Sequence, residues 1–167
     1  MHLRSLCSKF PGNDRSENVL LKVVAINSLY ATRIMAVRSV AEHIRQLHID
    51  TKVNLGSPKL VSEIGNVKLG EKEKLFFFYS FATKYCSWHK PDAYPIYDKY
   101  VAYLLWEYQQ SSDFRFDNFE RRDLIDYLKF KEIIERFRGF YGLTEFNFKE
   151  LDKFLRGYGE VMKPVQR

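Results

Sequence analysis

Two ionisable side chains in the middle of the chain have the types and the setting that catalysis requires. Lys84 is the one ammonium group near the end of an almost wholly apolar and aromatic stretch, residues 76–85. A lysine desolvated among aromatic rings becomes an amine nucleophile, whereas a lysine that pairs with an acid is structural. Asp98 follows 14 positions later. Its carboxylate either caps a helix or stabilises a reacting centre on which positive charge develops.

The elements around these two residues should hold them in fixed positions. Pro91 and Pro95 restrict the backbone on either side of residues 92–94, so the loop before Asp98 is expected to be rigid. Free backbone N–H groups and the helix dipole favour a carboxylate in the first turn of a helix. The pattern therefore predicts a buried helix over residues 76–85, a stiff loop, and a second helix that runs from Asp98 through Gln110.

The segment FYSFATKYCSWHKPDAYPIYDKYV, residues 78–101, resembles the helix-hairpin-helix-GPD superfamily of DNA glycosylases. It is most similar to bacterial proteins described as 8-oxoguanine-DNA-glycosylase-like. The resemblance implies that Asp98 is the catalytic aspartate shared by the superfamily. It also makes Lys84 the match for the lysine that attacks the sugar in the bifunctional members.

The chain departs from the superfamily pattern ahead of this lysine. The usual Pro-Gly-x-Gly hairpin is missing, and the spacing from Lys84 to Asp98 is short; Lys72 or Lys74 could take the hairpin position but lie too far from Asp98. Residues 65–70 are the best candidate for a hairpin between helices. In related glycosylases such a hairpin offers N–H groups to a phosphate, which predicts DNA-binding residues Gly65, Lys68, Gly70 and, elsewhere, Arg33. The alternative is an ordinary turn that ends a helix with glycine.

A target base must leave the duplex and is usually stacked between flat side chains in its pocket. The resemblance suggests that Asn27 or Tyr30 lines this pocket; the alternatives are a hydrogen-bonded turn asparagine and a packed tyrosine with a solvated hydroxyl. His89 and Tyr94 are the further pocket candidates because loops can present side chains to a cleft.

Composition and charge limit the class of protein. The chain has 167 residues, of which 46% are hydrophobic and 29% charged, as in soluble globular proteins. It has neither an apolar run long enough for a bilayer nor a signal-peptide pattern, so a cytoplasmic protein is expected. Residues 1–90 hold 14 Lys and Arg against 7 Asp and Glu, and residues 91–167 hold 13 against 14. The basic excess of the first half favours a polyanionic partner.

Helical periodicity dominates the sequence, and the predicted fold class is all-α: a helical glycosylase-like bundle with a helix-hairpin-helix element. A single domain is predicted over 1–167, with an arm at 1–15, a core with the active site at 16–110, and C-terminal helices at 111–167. Residues 119–141 read as one long amphipathic helix, and Asn147 is expected to cap a last helix from 148 to 158. The two cysteines, Cys7 and Cys86, have no metal-ligand spacing.

The predicted function is excision of a modified or damaged base from double-stranded DNA, with or without lyase activity, and with neither a metal nor an organic cofactor. The first alternative is a non-catalytic helical DNA-binding or partner-binding protein on the same scaffold, which the missing Pro-Gly-x-Gly favours. The second alternative is a helical interaction module without a nucleic-acid role. The base, the oligomeric state and a repair or defence role stay open.

Overall fold

The computed structural model describes residues 3–162, and the chain divides into two compact units, Met1–Lys90 and Pro91–Arg167. Most of the described residues are helical, as predicted. The boundary between the units falls inside the segment 16–110 that was predicted to form one core. Within residues 3–162, no helix has the length and apolar character that a bilayer crossing requires.

The first unit is built on two helices that pack together, α2 (Ser16–Tyr30) and α6 (Tyr79–His89). Both helices carry apolar residues that are almost completely buried, among them Val23, Ile26 and Phe81. Four shorter helices surround them: α1 (Leu3–Lys9), α3 (Val37–Gln46), α4 (Asp50–Leu55) and α5 (Lys59–Gly65). The N-terminal arm predicted at 1–15 therefore contains a helix, because Leu3, Leu6 and Cys7 are apolar enough to be buried.

A two-stranded antiparallel hairpin connects α5 to α6, where the sequence predicts only helices. β1 (Asn66–Leu69) pairs with β2 (Lys74–Phe77), and Gly70 takes the left-handed conformation at the turn, with φ of 75°. All four β2 side chains are exposed, so Phe76 and Phe77 do not belong to the buried helix predicted over 76–85. An exposed strand has no need to alternate apolar and polar residues, which is why the pattern gave no strand signal.

The second unit consists of α7 (Lys99–Gln110), α8 (Tyr127–Phe140) and α9 (Phe148–Met162), with a 3-10 turn at Arg121–Ile125. The single helix predicted over 119–141 is broken, because Asp126 adopts extended backbone angles and its carboxylate accepts the N–H groups of Leu128 and Lys129 as a new helix cap. Asn147 caps α9 as predicted. α9 continues through Gly157 and Gly159 and packs against α7.

Candidate functional site

Lys84 lies in the interior of α6 with only 2% of its surface exposed. Its Nζ donates to the hydroxyl of Ser80 at 2.6 Å and to the Ser80 carbonyl at 3.3 Å, one helical turn earlier. The ammonium also lies 5.3 Å from the centre of the Tyr30 ring, a cation–π contact. Removing an ammonium from water is costly, so a lysine buried in the middle of a helix is a candidate for a functional position.

Tyr30 and Trp88 complete the surroundings of Lys84 in the first unit. Trp88 lies one turn after Lys84 on the same face of α6, and its indole Nε1 donates to the Tyr30 hydroxyl at 3.0 Å. The structure therefore brings two of the predicted residues, Lys84 and Tyr30, into contact. The sequence analysis did not single out Trp88, although its spacing of four from Lys84 could have placed it beside Lys84.

The side chain of Asn27 makes three hydrogen bonds within the turn that follows α2. Its Oδ1 accepts the Thr32 hydroxyl at 2.7 Å and the Ile34 N–H at 2.9 Å, and its Nδ2 donates to the Ile34 carbonyl at 2.9 Å. These three bonds fix the turn between α2 and α3. Asn27 is thus the hydrogen-bonded turn residue of the alternative interpretation, and it determines the shape of the loop that begins after Tyr30.

A second polar cluster surrounds Lys22, which is completely buried in α2. Its Nζ donates to the Asn13 side-chain oxygen at 2.6 Å and to the Gly12 carbonyl at 2.9 Å, and it lies 3.4 Å from His89 Nε2. Asn13 also accepts the Tyr85 hydroxyl at 2.6 Å. Burial lowers the pKa of the Lys22 ammonium from 10.5 to about 8.

Asp50 joins this cluster from the start of α4, where its carboxylate accepts the backbone N–H and the side-chain amide of Asn13 at 3.1 and 2.6 Å. His89, predicted to line a base pocket, belongs to the Lys22 cluster, with its ring 5.1 Å from that of Tyr85. The sequence analysis missed Lys22 and Asn13. The signal was present, since Lys22 is the one charge in the apolar run LLKVVAI of α2, residues 20–26.

The histidine of this cluster makes the stability of the protein depend on pH. Burial, and after it the positive charge of Lys22, lower the pKa of His89 from 6.5 to about 4. Between these values the unfolded chain binds the proton and the folded chain does not, so the free energy of unfolding falls as pH drops from 6.5 toward 4. Relative to His89→Gln, the wild type is expected to lose about 2 kcal/mol between pH 7 and pH 5 in urea titrations.

The same shift can be measured directly by following the His89 imidazole by NMR. We expect a midpoint near 4, raised in Lys22→Met because a positive charge is removed, and unchanged in the control Lys59→Met, whose side chain is exposed in the same unit. A His89 midpoint near 6.5 in the wild type would contradict the burial of this ring.

The second unit holds Asp98 and Tyr94. Asp98 is the N-cap of α7, and its Oδ1 accepts the Tyr100 N–H at 2.9 Å. The local geometry predicted for this residue, at the opening of a helix, is therefore confirmed. Tyr94 is completely buried, with its ring stacked 6.3 Å from that of Tyr127. It is a core residue of this unit, as is Ile96.

The four predicted DNA-binding residues lie in three different settings. Gly65 is the buried last residue of α5, and a Cβ there would lie 3.2 Å from the Phe77 ring, so it provides room for packing and not for a phosphate. Gly70 forms the tip of the β-hairpin, and exposed Lys68 pairs with Glu73 at 3.1 Å. The segment 65–70, predicted as a hairpin between helices, thus forms the end of α5 and the first strand and turn of the β-hairpin that connects α5 to α6. Arg33 is exposed on the loop after α2, with a left-handed φ of 60°.

Fold and site together define a mostly helical protein whose basic first unit buries two lysines, one in α2 and one in α6. Residues 1–93 match a family model described as HI_0787_N, N-terminal domain, and the chain belongs to this family. A relative from Haemophilus influenzae, named an uncharacterized protein, is 42% identical over 152 residues, which cover 90% of this chain and 71% of the relative. No solved structure matches the chain. The matched range ends in the loop where the first unit also ends.

Proposed function

We propose that this protein is a DNA glycosylase-like enzyme that removes a modified base from duplex DNA, with Lys84 as the amine nucleophile and Asp98 as the catalytic carboxylate. The observation that carries the proposal is the placement of Lys84: an amine almost completely removed from water, between a serine and the ring of Tyr30. The resemblance of residues 78–101 to helix-hairpin-helix-GPD glycosylases supports both assignments.

Charge supports DNA as the substrate. Residues 1–90, which coincide with the first compact unit, hold 14 basic and 7 acidic residues. The unit that carries Lys84 therefore has a net charge of +7, while the second unit is close to neutral. Basic side chains that neutralise phosphates release counterions, which favours binding to a polyanion.

The proposed reaction begins with Lys84 as the neutral amine, after the ammonium has given up a proton. Nζ forms a bond to the anomeric carbon of the sugar, and the N-glycosidic bond breaks with its electron pair leaving on the base, which takes up a proton. The carboxylate of Asp98 stabilises the positive charge that develops on the sugar. Nζ then gives up a proton, the bond between the anomeric carbon and the ring oxygen breaks as the ring oxygen takes up a proton, and an iminium forms between Nζ and the anomeric carbon, which borohydride reduces to a stable amine.

The test is incubation of the protein with duplexes carrying oxidised, deaminated, alkylated or hypermodified bases, with and without borohydride. We expect base release by the wild type, lowered at least a hundredfold in Asp98→Asn, and an adduct that is lost in Lys84→Met. The control for Asp98→Asn is Asp126→Asn, because Asp126 is also the N-cap of a helix in the second unit. The control for Lys84→Met is Lys22→Met, which also removes a buried ammonium from the first unit.

The outcomes separate the roles of the two residues. Release without a trapped adduct would leave Lys84 a structural residue and make water the nucleophile. Equal losses in Asp98→Asn and Asp126→Asn would mean that only helix capping had been disturbed.

Non-catalytic DNA binding is the second candidate, and the capping bond of Asp98 favours it, because that bond alone is a sufficient reason for an aspartate at the start of α7. It predicts salt-dependent binding to every duplex and release from none. If the protein neither releases a base nor binds DNA, the interpretation that remains is a helical interaction module without a nucleic-acid role.

A further inference from the structure

Among residues 3–162, the large apolar side chain with the highest exposed fraction lies in the loop between α2 and α3, residues 31–36. Met35 has 94% of its surface in water. A methionine so exposed gains nothing in the folded protein from burial, and an isolated apolar side chain at the tip of a loop is suited to enter an apolar space on a partner. The loop begins directly after Tyr30, whose ring contacts Lys84.

This loop is held in one conformation. Asn27 bonds to the side chain of Thr32 and to both backbone polar groups of Ile34, and the Ile34 side chain is buried. Ala31 and Arg33 adopt left-handed backbone angles, with φ of 48° and 60°. Such angles are costly for residues with a Cβ and are found where the surrounding structure enforces them, often at functional sites. Met35 is therefore presented by a fixed loop.

Two arginines flank the methionine. Arg33 precedes it in the loop, and Arg38 follows in the first turn of α3; both are exposed. Neither guanidinium has a hydrogen bond or ion pair among residues 3–162. The chain holds no Asp or Glu between Glu17 and Glu42. The loop therefore presents an apolar tip between two positive charges, on the unit with net charge +7.

We infer that residues 31–36 form a DNA-contacting wedge, in which the Met35 side chain enters the base stack of a duplex while Arg33 and Arg38 contact phosphates on either side. Apolar side chains inserted between base steps unstack them locally, and arginines pair with phosphates in forked geometry. The inference rests on the proposed function for its ligand, duplex DNA, and does not depend on the chemistry of Lys84 or Asp98.

The experiment uses the full chain and a duplex with a central tetrahydrofuran abasic-site analogue flanked by 2-aminopurine, whose emission rises when it is unstacked. We expect the wild type to raise the emission severalfold and Met35→Ala to abolish the rise while the duplex stays bound. The matched control is Leu55→Ala, which truncates another exposed apolar side chain of the same unit. It should leave the emission rise intact.

The arginines are tested by the salt dependence of binding. Arg33→Gln combined with Arg38→Gln should make the slope of log K against log salt less steep by about 2, because two phosphate contacts are lost. Lys59→Gln, an exposed lysine of the same unit, is the single-charge control and should change the slope by less. An unchanged slope in the double variant, or an emission rise that persists in Met35→Ala, would overturn the wedge, as would failure of the wild type to bind the duplex.

The wedge and the proposed catalysis can fail separately. Unstacking that persists in Lys84→Met and Asp98→Asn, without base release by the wild type, would remove the proposed enzyme and keep the wedge. If Met35→Ala releases the base normally and raises the 2-aminopurine emission as much as the wild type does, the proposed enzyme stands and the wedge is ruled out.

Discussion

Asn13→Ala is expected to lower the free energy of unfolding of the first unit by about 1 to 3 kcal/mol, the cost of leaving buried polar groups without a partner. Asn13 is almost completely buried, and its side chain joins Lys22, Tyr85 and Asp50. Its loss leaves the Lys22 ammonium with fewer acceptors and deprives the Tyr85 hydroxyl of its bond. In the wild type, burial lowers the pKa of Lys22 to about 8 although Asn13 is present, so the acceptors around the ammonium do not fully offset its desolvation. Removing one of them increases that deficit.

Urea titrations followed by ¹⁹F NMR of 5-fluorotryptophan measure this loss, because the two tryptophans, Trp88 and Trp106, report the first and second units separately. The control is Asn54→Ala, whose asparagine is exposed on α4 of the same unit and should change stability by less than about 0.5 kcal/mol. A loss for Asn13→Ala no larger than that of the control would mean that the Lys22 cluster contributes nothing.

A double-mutant cycle tests whether the cluster acts as a unit. In the wild type, Lys22→Met removes a donor from the Gly12 carbonyl and one of the two donors from the Asn13 oxygen. In the Asn13→Ala background it also removes a charge that has become poorly solvated, so it should cost less there. We expect a coupling of at least about 1 kcal/mol. Strictly additive losses would contradict direct coupling through the 2.6 Å bond between the two side chains.

The parts of this fold that the sequence predicted are those set by neighbouring residues. Asp98 before α7 and Asn147 before α9 are caps whose partners lie two or three positions away, so the local pattern identified both helix starts. The charge difference between the two halves was also visible, and its limit at residue 90 coincides with the limit of the first unit. The similarity of both halves to a known protein could be found only by comparing the whole chain with that protein.

The parts that the sequence did not predict depend on distant partners. Asn13 meets Asp50 across 37 positions, and Lys22 meets His89 across 67, and no local pattern specifies these pairs. The β-hairpin failed for a different reason. Phe76 and Phe77 were assigned to a buried helix on hydrophobicity, but they remain exposed on β2, where Phe76 contacts Phe78 and Lys74 lies over its ring.

Of the candidate site, residue type and setting singled out Lys84 and Asp98, and the resemblance suggested Tyr30; the structure brings Lys84 and Tyr30 together. The sequence did not indicate that Asn27 shapes the loop of residues 31–36, because that role requires three specific hydrogen bonds across five to seven positions. The tip of this loop, Met35, carries no chemical group that a search for catalytic residues would select.

Gly159→Ala is expected to destabilise the second unit by about 2 to 3 kcal/mol. A Cβ on Gly159 would lie 2.5 Å from the carbonyl oxygen of Tyr100 and 3.0 Å from its carbonyl carbon. Both are backbone atoms of the first turn of α7, so the clash cannot be relieved by a side-chain rotation. The helices α7 and α9 must therefore move apart.

Gly157→Ala provides the matched control two positions earlier in α9. A Cβ on Gly157 has no neighbour within 4 Å, and alanine is favoured over glycine in a helix, so this variant should gain about 0.5 to 1 kcal/mol. The contrast in sign, measured at Trp106 by the same ¹⁹F titrations, separates close packing from helix propensity. Two losses, or two gains, would contradict the close approach of Gly159 to α7.

The packing of Gly159 also bears on Asp98, because Tyr100 is the residue whose N–H this carboxylate accepts. Displacing the first turn of α7 should weaken that bond, so the Tyr100 amide is expected to exchange with solvent faster in Gly159→Ala than in Gly157→Ala. If Asp98 is the catalytic carboxylate, base release should fall in the first variant and persist in the second, although neither glycine touches the reacting atoms. Faster exchange with undiminished release would show that the cap can be loosened without cost to the reaction, which would argue against a catalytic role for Asp98.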